Sequence, residues 1–398
     1  MKTLNINMKN HGLGTARSVI RETFEYGNKR AAIVGRENVY DFSLGNPSVP
    51  APLCVDKKIA ELASSNADIH GYTSAQGLAS VRKSIADNLN KRFGVDVNAD
   101  DLYMTCGAAA SLTVSLNAIC IEGDEVIAIA PYFPEYKVFV EGAGAKLITV
   151  EADLKAFQIN FELFEKALSK NTKAVIINSP NNPSGAVFTE QTILKLADIL
   201  KKRSEEYGHS IYLISDEPYR ELVYDTSVKV PFLLKYYDDT IVCYSYSKSM
   251  SLPGERIGYI LVSNKMHCNR DVYAAVCGAG RALGFVCAPA LMQYVIDSAP
   301  DAVSDVSEYK KNRDLLYDAL TSYGYDCVHP DGAFYLFVKS PINDAVEFCE
   351  KAKELDLLLV PSDSFGVKGY MRISYCVSND MIRRSLPLFE KLIKSVQE

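Results

Sequence analysis

Ser245-Tyr246-Ser247-Lys248-Ser249-Met250-Ser251-Leu252-Pro253-Gly254-Glu255-Arg256-Ile257-Gly258-Tyr259 is the stretch whose reading decides the fold. It follows Thr240-Ile241-Val242-Cys243-Tyr244, an apolar run that reads as a buried strand. One lysine then stands among small and hydroxyl-bearing residues, with an arginine eight positions on. A solvated surface lysine needs no such surroundings. An amine held on rigid backbone beside anion-binding groups suits a Schiff base to an aldehyde cofactor that carries a phosphate. Taken alone, though, S-x-S-K is more often a strand-to-loop transition with an incidental lysine.

Composition narrows the classes. The 398 residues, 48% of them hydrophobic, suffice for two or three domains with ordinary cores. A net charge of −6 gives no reason to expect nucleic acid or an anionic membrane as partner. The apolar stretch Ala282 to Ile296 is shorter than the ~20 residues of a spanning helix and contains Pro289. Met1-Lys2-Thr3-Leu4-Asn5 has no apolar signal region, so a cytoplasmic protein is expected. Ten cysteines form no C-x-x-C pair, and Cys268 beside His267 matches no zinc spacing. Reduced thiols and no metal site are the expectation.

Along the chain, short β-branched runs alternate with helical patterns. The runs are Leu102 to Thr105, Val126 to Ala130, Lys146 to Val150, Ala174 to Asn178, Ile211 to Ser215, Ile241 to Tyr244 and Tyr259 to Val262. Helical spacing marks Ala16 to Tyr26, Ala79 to Phe93, a segment through Leu112 to Ile119, and Ile193 to Leu200. This alternation argues for an α/β protein with a mostly parallel sheet covered on both faces. Beyond about residue 288 two long amphipathic helices bracket Gly332 to Val338 and Tyr370 to Tyr375, an α+β pattern. Three parts are expected: an arm and part of a small domain over 1–45, a large domain over 46–287, and a small domain over 288–398.

A pyridoxal-phosphate cofactor makes independent demands. Its ring nitrogen needs a carboxylate, and Asp216 ends a strand with Tyr219 three residues on. Its phenolic oxygen needs donors, for which Tyr219 and Asn182 suit, the latter in the turn Ser179 to Gly185. Its phosphate needs a helix start with close backbone approach, which Gly107-Ala108-Ala109-Ala110-Ser111 supplies, and Ser245, Ser247 and Arg256 can add charge-assisted bonds. Its flat ring needs an aromatic face, and Phe133 follows a strand end. Singly, each is equally well turn chemistry or core packing. Together they lie past the carboxyl ends of parallel strands, where open α/β sheets bind ligands. The competing S-x-x-K of serine β-lactamases needs a later S-x-N and K-T-G. The one attractive S-x-N, Ser179-Pro180-Asn181, comes earlier, and no K-[ST]-G exists.

From Gly45 to Arg372 the chain resembles a class I/II aminotransferase of the fold-type I pyridoxal-phosphate enzymes, and it fits the S-x-S-K…G-x-R-x-G signature at every fixed position. The resemblance implies a seven-stranded-type sheet and a homodimer with shared sites. It makes Lys248 the Schiff-base lysine and catalytic base, pairs Asp216 with the pyridinium, and sets Tyr219 and Asn182 on the phenolic oxygen. It stacks Phe133 on the ring and gives Gly107, Ala108, Ala109, Ser245, Ser247 and Arg256 to the phosphate, which Tyr72 reaches from the partner subunit. Arg372 is implied to clamp the substrate carboxylate, with Gly45 and Asn182 beside it. Two departures stand out: alanines at 108–110 where many relatives have a hydroxyl or lysine, and no tryptophan for stacking.

The implied reaction is ping-pong transfer of an amino group from an L-amino acid to a 2-oxo acid. Arg281 reads equally as a surface arginine or as a partner for a distal carboxylate, as in aspartate aminotransferases; the latter makes aspartate or glutamate the first expectation and alanine or an aromatic amino acid the next. A pyridoxal-phosphate C–S β-lyase would use the same fold and lysine.

Overall fold

The computed structural model describes residues 5–16, 18–65 and 68–397. Met1 to Leu4, part of the signal reading, lie outside them. The chain opens with helices Met8–Thr15 and Val19–Val34, the second capped by the Ser18 side chain, which accepts from the Arg21 N–H. The helix expected over Ala16 to Tyr26 thus starts later and runs two turns further. A two-residue strand, β1 (Tyr40–Asp41), follows.

All seven expected strands of the large sheet are present. They are β2 (Leu102–Thr105), β3 (Glu125–Ala130), β4 (Lys146–Glu151), β5 (Thr172–Asn178), β6 (Tyr212–Asp216), β7 (Thr240–Ser245) and β8 (Gly258–Val262). Their order is β2-β8-β7-β6-β5-β3-β4, and only β8 runs antiparallel to its neighbours. Side chains alternate between two buried faces. Val126, Ala128, Ala174 and Ile176 pack with Leu112, Val114, Val140 and Val276 of one helical layer. Ile127, Ile129, Val175 and Ile177 pack with Phe164, Ile193, Leu196 and Leu200 of the other. Two buried faces are why these strands read as continuous apolar runs.

Four more strands follow among the described residues: β9 (Tyr335–Lys339), β10 (Leu357–Leu358), β11 (Val360–Pro361) and β12 (Tyr370–Ser374). β12 lies between β11 and β9, antiparallel to both, and β1 pairs with β10 in parallel. Helices Ser307–Ser322 and Asn379–Gln397 cover this second core, built on Phe42, Phe334, Phe348 and Phe389. Helix Ala290–Ser298 packs elsewhere. Its Met292, Val295 and Ile296 join Val81, Ile85, Val242 and Leu261 on the large-sheet side, beyond the boundary drawn at 288.

The loop after β6 is anchored by a buried ion pair. Glu217 takes a bidentate bond from Arg220, their side chains 2% and 5% exposed, and Ser215 Oγ adds a hydrogen bond at 2.6 Å. Arg220 also lies over the rings of Phe93 and Phe232, at 5.4 and 5.0 Å. Removing one partner strands a charge out of water, so Glu217→Gln lowers unfolding stability in urea by about 3–5 kcal/mol. The double variant Glu217→Leu/Arg220→Met recovers most of that loss. A single variant within about 1 kcal/mol of wild type contradicts this account of the loop.

Candidate active site

The lysine stretch departs from a plain loop. Ser245 ends β7 and caps a single helical turn, Tyr246–Ser249, by accepting the Ser247 N–H at 3.2 Å. Lys248 sits on that turn, half-buried and aimed into the cleft. Its Nζ donates to the Gly45 carbonyl at 2.6 Å and lies 5.5 Å from the Phe334 ring centre. Burial pushes the amine down from its ordinary value to about 8, and Arg256 and Arg372 push the same way.

At one end of the cleft, Gly107 precedes helix Ala108–Ile119 with φ +88, a conformation that favours glycine. A Cβ there would stand 2.9 Å from Arg256 Nη2, so only glycine leaves room for the guanidinium. No side chain caps this helix, which leaves the backbone N–H groups of its first turn to the cleft. Arg256 stands just before β8, whose reversed direction brings its start to the same sheet edge. The guanidinium donates to Ser247 Oγ at 3.4 Å and to the carbonyls of Pro253 and Cys106 at 2.9 and 3.1 Å. Ser245 Oγ and Ser247 Oγ are 2.8 Å apart.

Asp216 lies on the cleft floor, 4% exposed. Tyr136 donates to its Oδ2, while its buried Oδ1 has no partner. Burial raises its pKa from the ordinary carboxylate range to about 7, Tyr136 opposing and the Glu217 charge assisting. Asn178 Nδ2 donates to the Asp216 carbonyl at 3.0 Å, and Asn178 Oδ1 accepts from the Asn182 N–H at 2.8 Å. Phe133 forms part of the wall, with its ring edge-on to Tyr136 at 5.8 Å.

A second cation comes from the other core. In β12, Met371 and Ile373 point into that core, so Arg372 projects the opposite way, 2% exposed. Its Nη1 donates to Asn182 Oδ1 at 3.1 Å and its Nη2 to the Ser43 carbonyl at 2.6 Å. Its Nε is buried without a partner. Among the described residues no carboxylate lies within ion-pair distance of it. Asn182 Nδ2 reaches Tyr219 Oη at 3.5 Å, and Tyr219 Oη lies 2.8 Å from Tyr335 Oη.

Ala108, Ala109, Phe133, Asn182, Asp216, Tyr219, Ser245, Ser247, Lys248 and Arg256 therefore line one cleft, with Gly45 and Arg372 bonded to its members. Tyr72 is 99% exposed and Arg281 is exposed on helix Asn269–Leu283, so neither lines the cleft of its own chain. Sequence reasoning missed Tyr136, Asn178, Tyr335 and Ser43. Tyr136 had a signal, since it follows Phe133 by one helical turn at a strand end. Ser43 acts through its backbone carbonyl, which no side-chain pattern reveals.

The family model for aminotransferase class I and II matches residues 37–386. The chain belongs to that family. It is an aminotransferase, and its architecture is that of the fold-type I enzymes. An aminotransferase structure from Eubacterium rectale matches with a TM-score of 0.97 and 57% identity over 100% of both chains. A probable aspartate aminotransferase of Methanocaldococcus jannaschii is 31% identical over 388 residues, 95% of this chain and 97% of its own. The aspartate aminotransferase of Thermotoga maritima is 30% identical over 383 residues, 94% and 97% of the two chains.

Enzymes of this family and fold depend on pyridoxal phosphate, and the cleft suits that group. Asp216 Oδ1 lacks a donor, a Cβ at Gly107 would crowd Arg256, and Lys248 and Arg256 line the same cleft as Asp216. The Asp216 shift also sets a sign. A carboxyl whose folded pKa is raised stabilises the protein at low pH, and this contribution is lost as pH climbs from the ordinary carboxylate range through about 7. In the cofactor-free protein, Asp216→Asn flattens this part of the pH profile of the urea midpoint. Tyr136→Phe removes a donor to the carboxylate and extends the decline to higher pH. An Asp216→Asn profile parallel to that of wild type would refute the assignment.

Proposed function

We propose that this aminotransferase moves the amino group of an acidic L-amino acid, aspartate or glutamate, to a 2-oxo acid, using pyridoxal phosphate held in the cleft. The observation that carries the reading is a desolvated Lys248 amine and an unpartnered Asp216 Oδ1 on the walls of one cleft. When bound, the cofactor supplies an electron sink for the pair released at the substrate Cα.

The chain's own residues do the rest. Gly107, Ala108 and Ala109 offer backbone N–H groups to the phosphate, and Ser245, Ser247 and Arg256 add side-chain donors. With alanines at 108–110, the helix start itself carries what a hydroxyl or lysine would otherwise share. Asp216 holds the ring nitrogen protonated through Oδ1, and Tyr136 fixes the carboxylate by its other oxygen. Tyr219 and Asn182 serve the phenolic oxygen, and Phe133 covers one face of the ring. Arg372 receives the substrate α-carboxylate; its fork and free Nε suit a planar anion.

Lys248 would tether the cofactor and, as a free amine, would move the α-proton of the substrate. Burial lowers its pKa from the usual 10.5 to about 8, which raises its free-base fraction at neutral pH. That places the amine where one group can both take a proton and return it. Tyr72 and Arg281 enter this reading only in a homodimer with shared sites, Tyr72 at the partner's phosphate and Arg281 at the distal carboxylate of its substrate. The two relatives named as aspartate aminotransferases support the acidic donor.

Two measurements test the proposal. Lys248→Ala keeps bound cofactor but loses turnover by at least about 100-fold; a variant that turns over normally sinks the assignment. Offered amino acids one at a time, the loaded enzyme loses its visible absorbance with aspartate or glutamate and regains it with 2-oxoglutarate. Inertness to both acidic donors overturns the donor class. Pyruvate and ammonia released without an oxo-acid acceptor would instead mark a β-lyase.

A further inference from the structure

The hydrogen bonds around Tyr219 have a direction, and Arg372 sets it. A guanidinium only donates, so Asn182 Oδ1, 3.1 Å from Arg372 Nη1, is an acceptor. The other end of that amide, Nδ2, is then the donor facing Tyr219 Oη at 3.5 Å. The Tyr219 oxygen already receives one bond from this side. Among the described residues its other hydrogen-bond neighbour is Tyr335 Oη at 2.8 Å, where either hydroxyl can donate. A phenol has one proton. If Tyr219 gives it to Tyr335, none remains for the cleft that Tyr219 lines.

We propose that Tyr335 is a positioning residue with two tasks: its hydroxyl donates to Tyr219, and its ring carries Arg372. This rests on the reading of the cleft given above, in which the Tyr219 proton serves the phenolic oxygen of the cofactor. Tyr335 is buried, and its ring centre lies 4.6 Å from Arg372 Cζ. Its ring also meets Tyr219 edge-on, with centroids 5.6 Å apart. The register explains the double contact. Tyr335 opens β9 opposite Ser374, two residues past Arg372 on β12, so one antiparallel pair places ring and guanidinium on the same face. Glycine at position 45 completes the arrangement, since a Cβ there would overlap the Tyr335 hydroxyl. Arg372, Cys376 and Tyr219 are the titratable groups acting on Tyr335; Tyr335, Arg372 and Asp216 act on Tyr219.

A bond accepted by Tyr219 polarises its own O–H and makes it the better donor. The test compares wild type, Tyr335→Phe and Tyr335→Leu as purified holoenzymes. The readings are the pH titration of the bound cofactor's visible absorbance, kcat, and the KM for the amino donor. Phenylalanine keeps the ring and loses the proton. A poorer donor at Tyr219 leaves the phenolic oxygen more basic, so the absorbance midpoint moves to higher pH. With it, kcat falls roughly 2- to 10-fold and KM stays within about twofold. Leucine loses the ring as well, and KM rises roughly 3- to 30-fold. A phenylalanine variant with the wild-type midpoint and kcat overturns the inference, as does a pair that differs from wild type only in thermal stability. Wild-type protein that binds no pyridoxal phosphate overturns the parent reading and this inference with it. A loaded, active wild type beside an indifferent phenylalanine variant overturns the inference alone.

Discussion

Two cations from different cores, Lys248 half-buried and Arg372 buried, neither within ion-pair distance of a carboxylate among the described residues, are the constraint on which this site depends. Lys248 and Arg372 hang on carbonyls two residues apart, Gly45 and Ser43. Buried cations of this kind are costly unless hydrogen-bonded, and their attraction to an incoming anion is correspondingly strong. The strip that holds them is itself pinned. The Ser374 N–H donates to the Phe42 carbonyl, Cys376 Sγ to the Leu44 carbonyl, and the Ser43 hydroxyl and N–H both bond Asp41. The short segment from Asp41 to Gly45 thus ties the Lys248 amine and the Arg372 guanidinium to one strip of backbone.

The sheet supplies the other half of the geometry. Asn182 and Asp216 arrive from adjacent parallel strands, and Lys248 from the next one along, so three neighbouring strand ends present three different functions at one edge. The single antiparallel strand matters as much. Because β8 runs backward, its start lies beside the end of β7, and Arg256 returns to the Gly107 end of the cleft after only a short excursion. Gly258 makes this possible, since a Cβ there would press on the Tyr244 carbonyl and on the Gly107 backbone. One glycine lets β8 pass the Gly107 turn, and the other leaves space for the arginine.

How far the sequence carries this picture follows from the kind of signal each part emits. The seven strands are legible because both faces of the sheet are buried, which turns Val126 to Ala130 or Ala174 to Asn178 into uninterrupted apolar runs. Lys248, Asp216 and Asn182 are legible because each sits just past such a run with a side chain whose chemistry is specific. The single helical turn under Lys248 is not legible; four residues have no periodicity, and the turn exists because Ser245 caps it. The placement of helix Ala290–Ser298 depends on which apolar surface it meets, and composition does not distinguish two equally apolar cores. Tyr335 is hidden for a different reason. Within Gly332 to Val338 it reads as one more aromatic in a buried strand, and only the register with β12 brings it under Arg372. Tyr72 and Arg281 carry side chains of specific chemistry, yet a single chain turns both toward solvent.

Burial acts on the two central ionisable groups in opposite directions. It takes Lys248 down to about 8 and Asp216 up to about 7, so desolvation moves both toward their neutral forms. A ligand that brings a phosphate and a protonated ring nitrogen reverses this for Asp216, because a donor at Oδ1 favours the carboxylate. For Lys248 the negative charge of such a phosphate opposes the downward push of Arg256 and Arg372. One cause, desolvation, thus moves an acid and an amine of the same cleft in opposite directions. That separation follows first from burial, to which the charges of Arg256 and Arg372 add at Lys248 and the charge of Glu217 adds at Asp216.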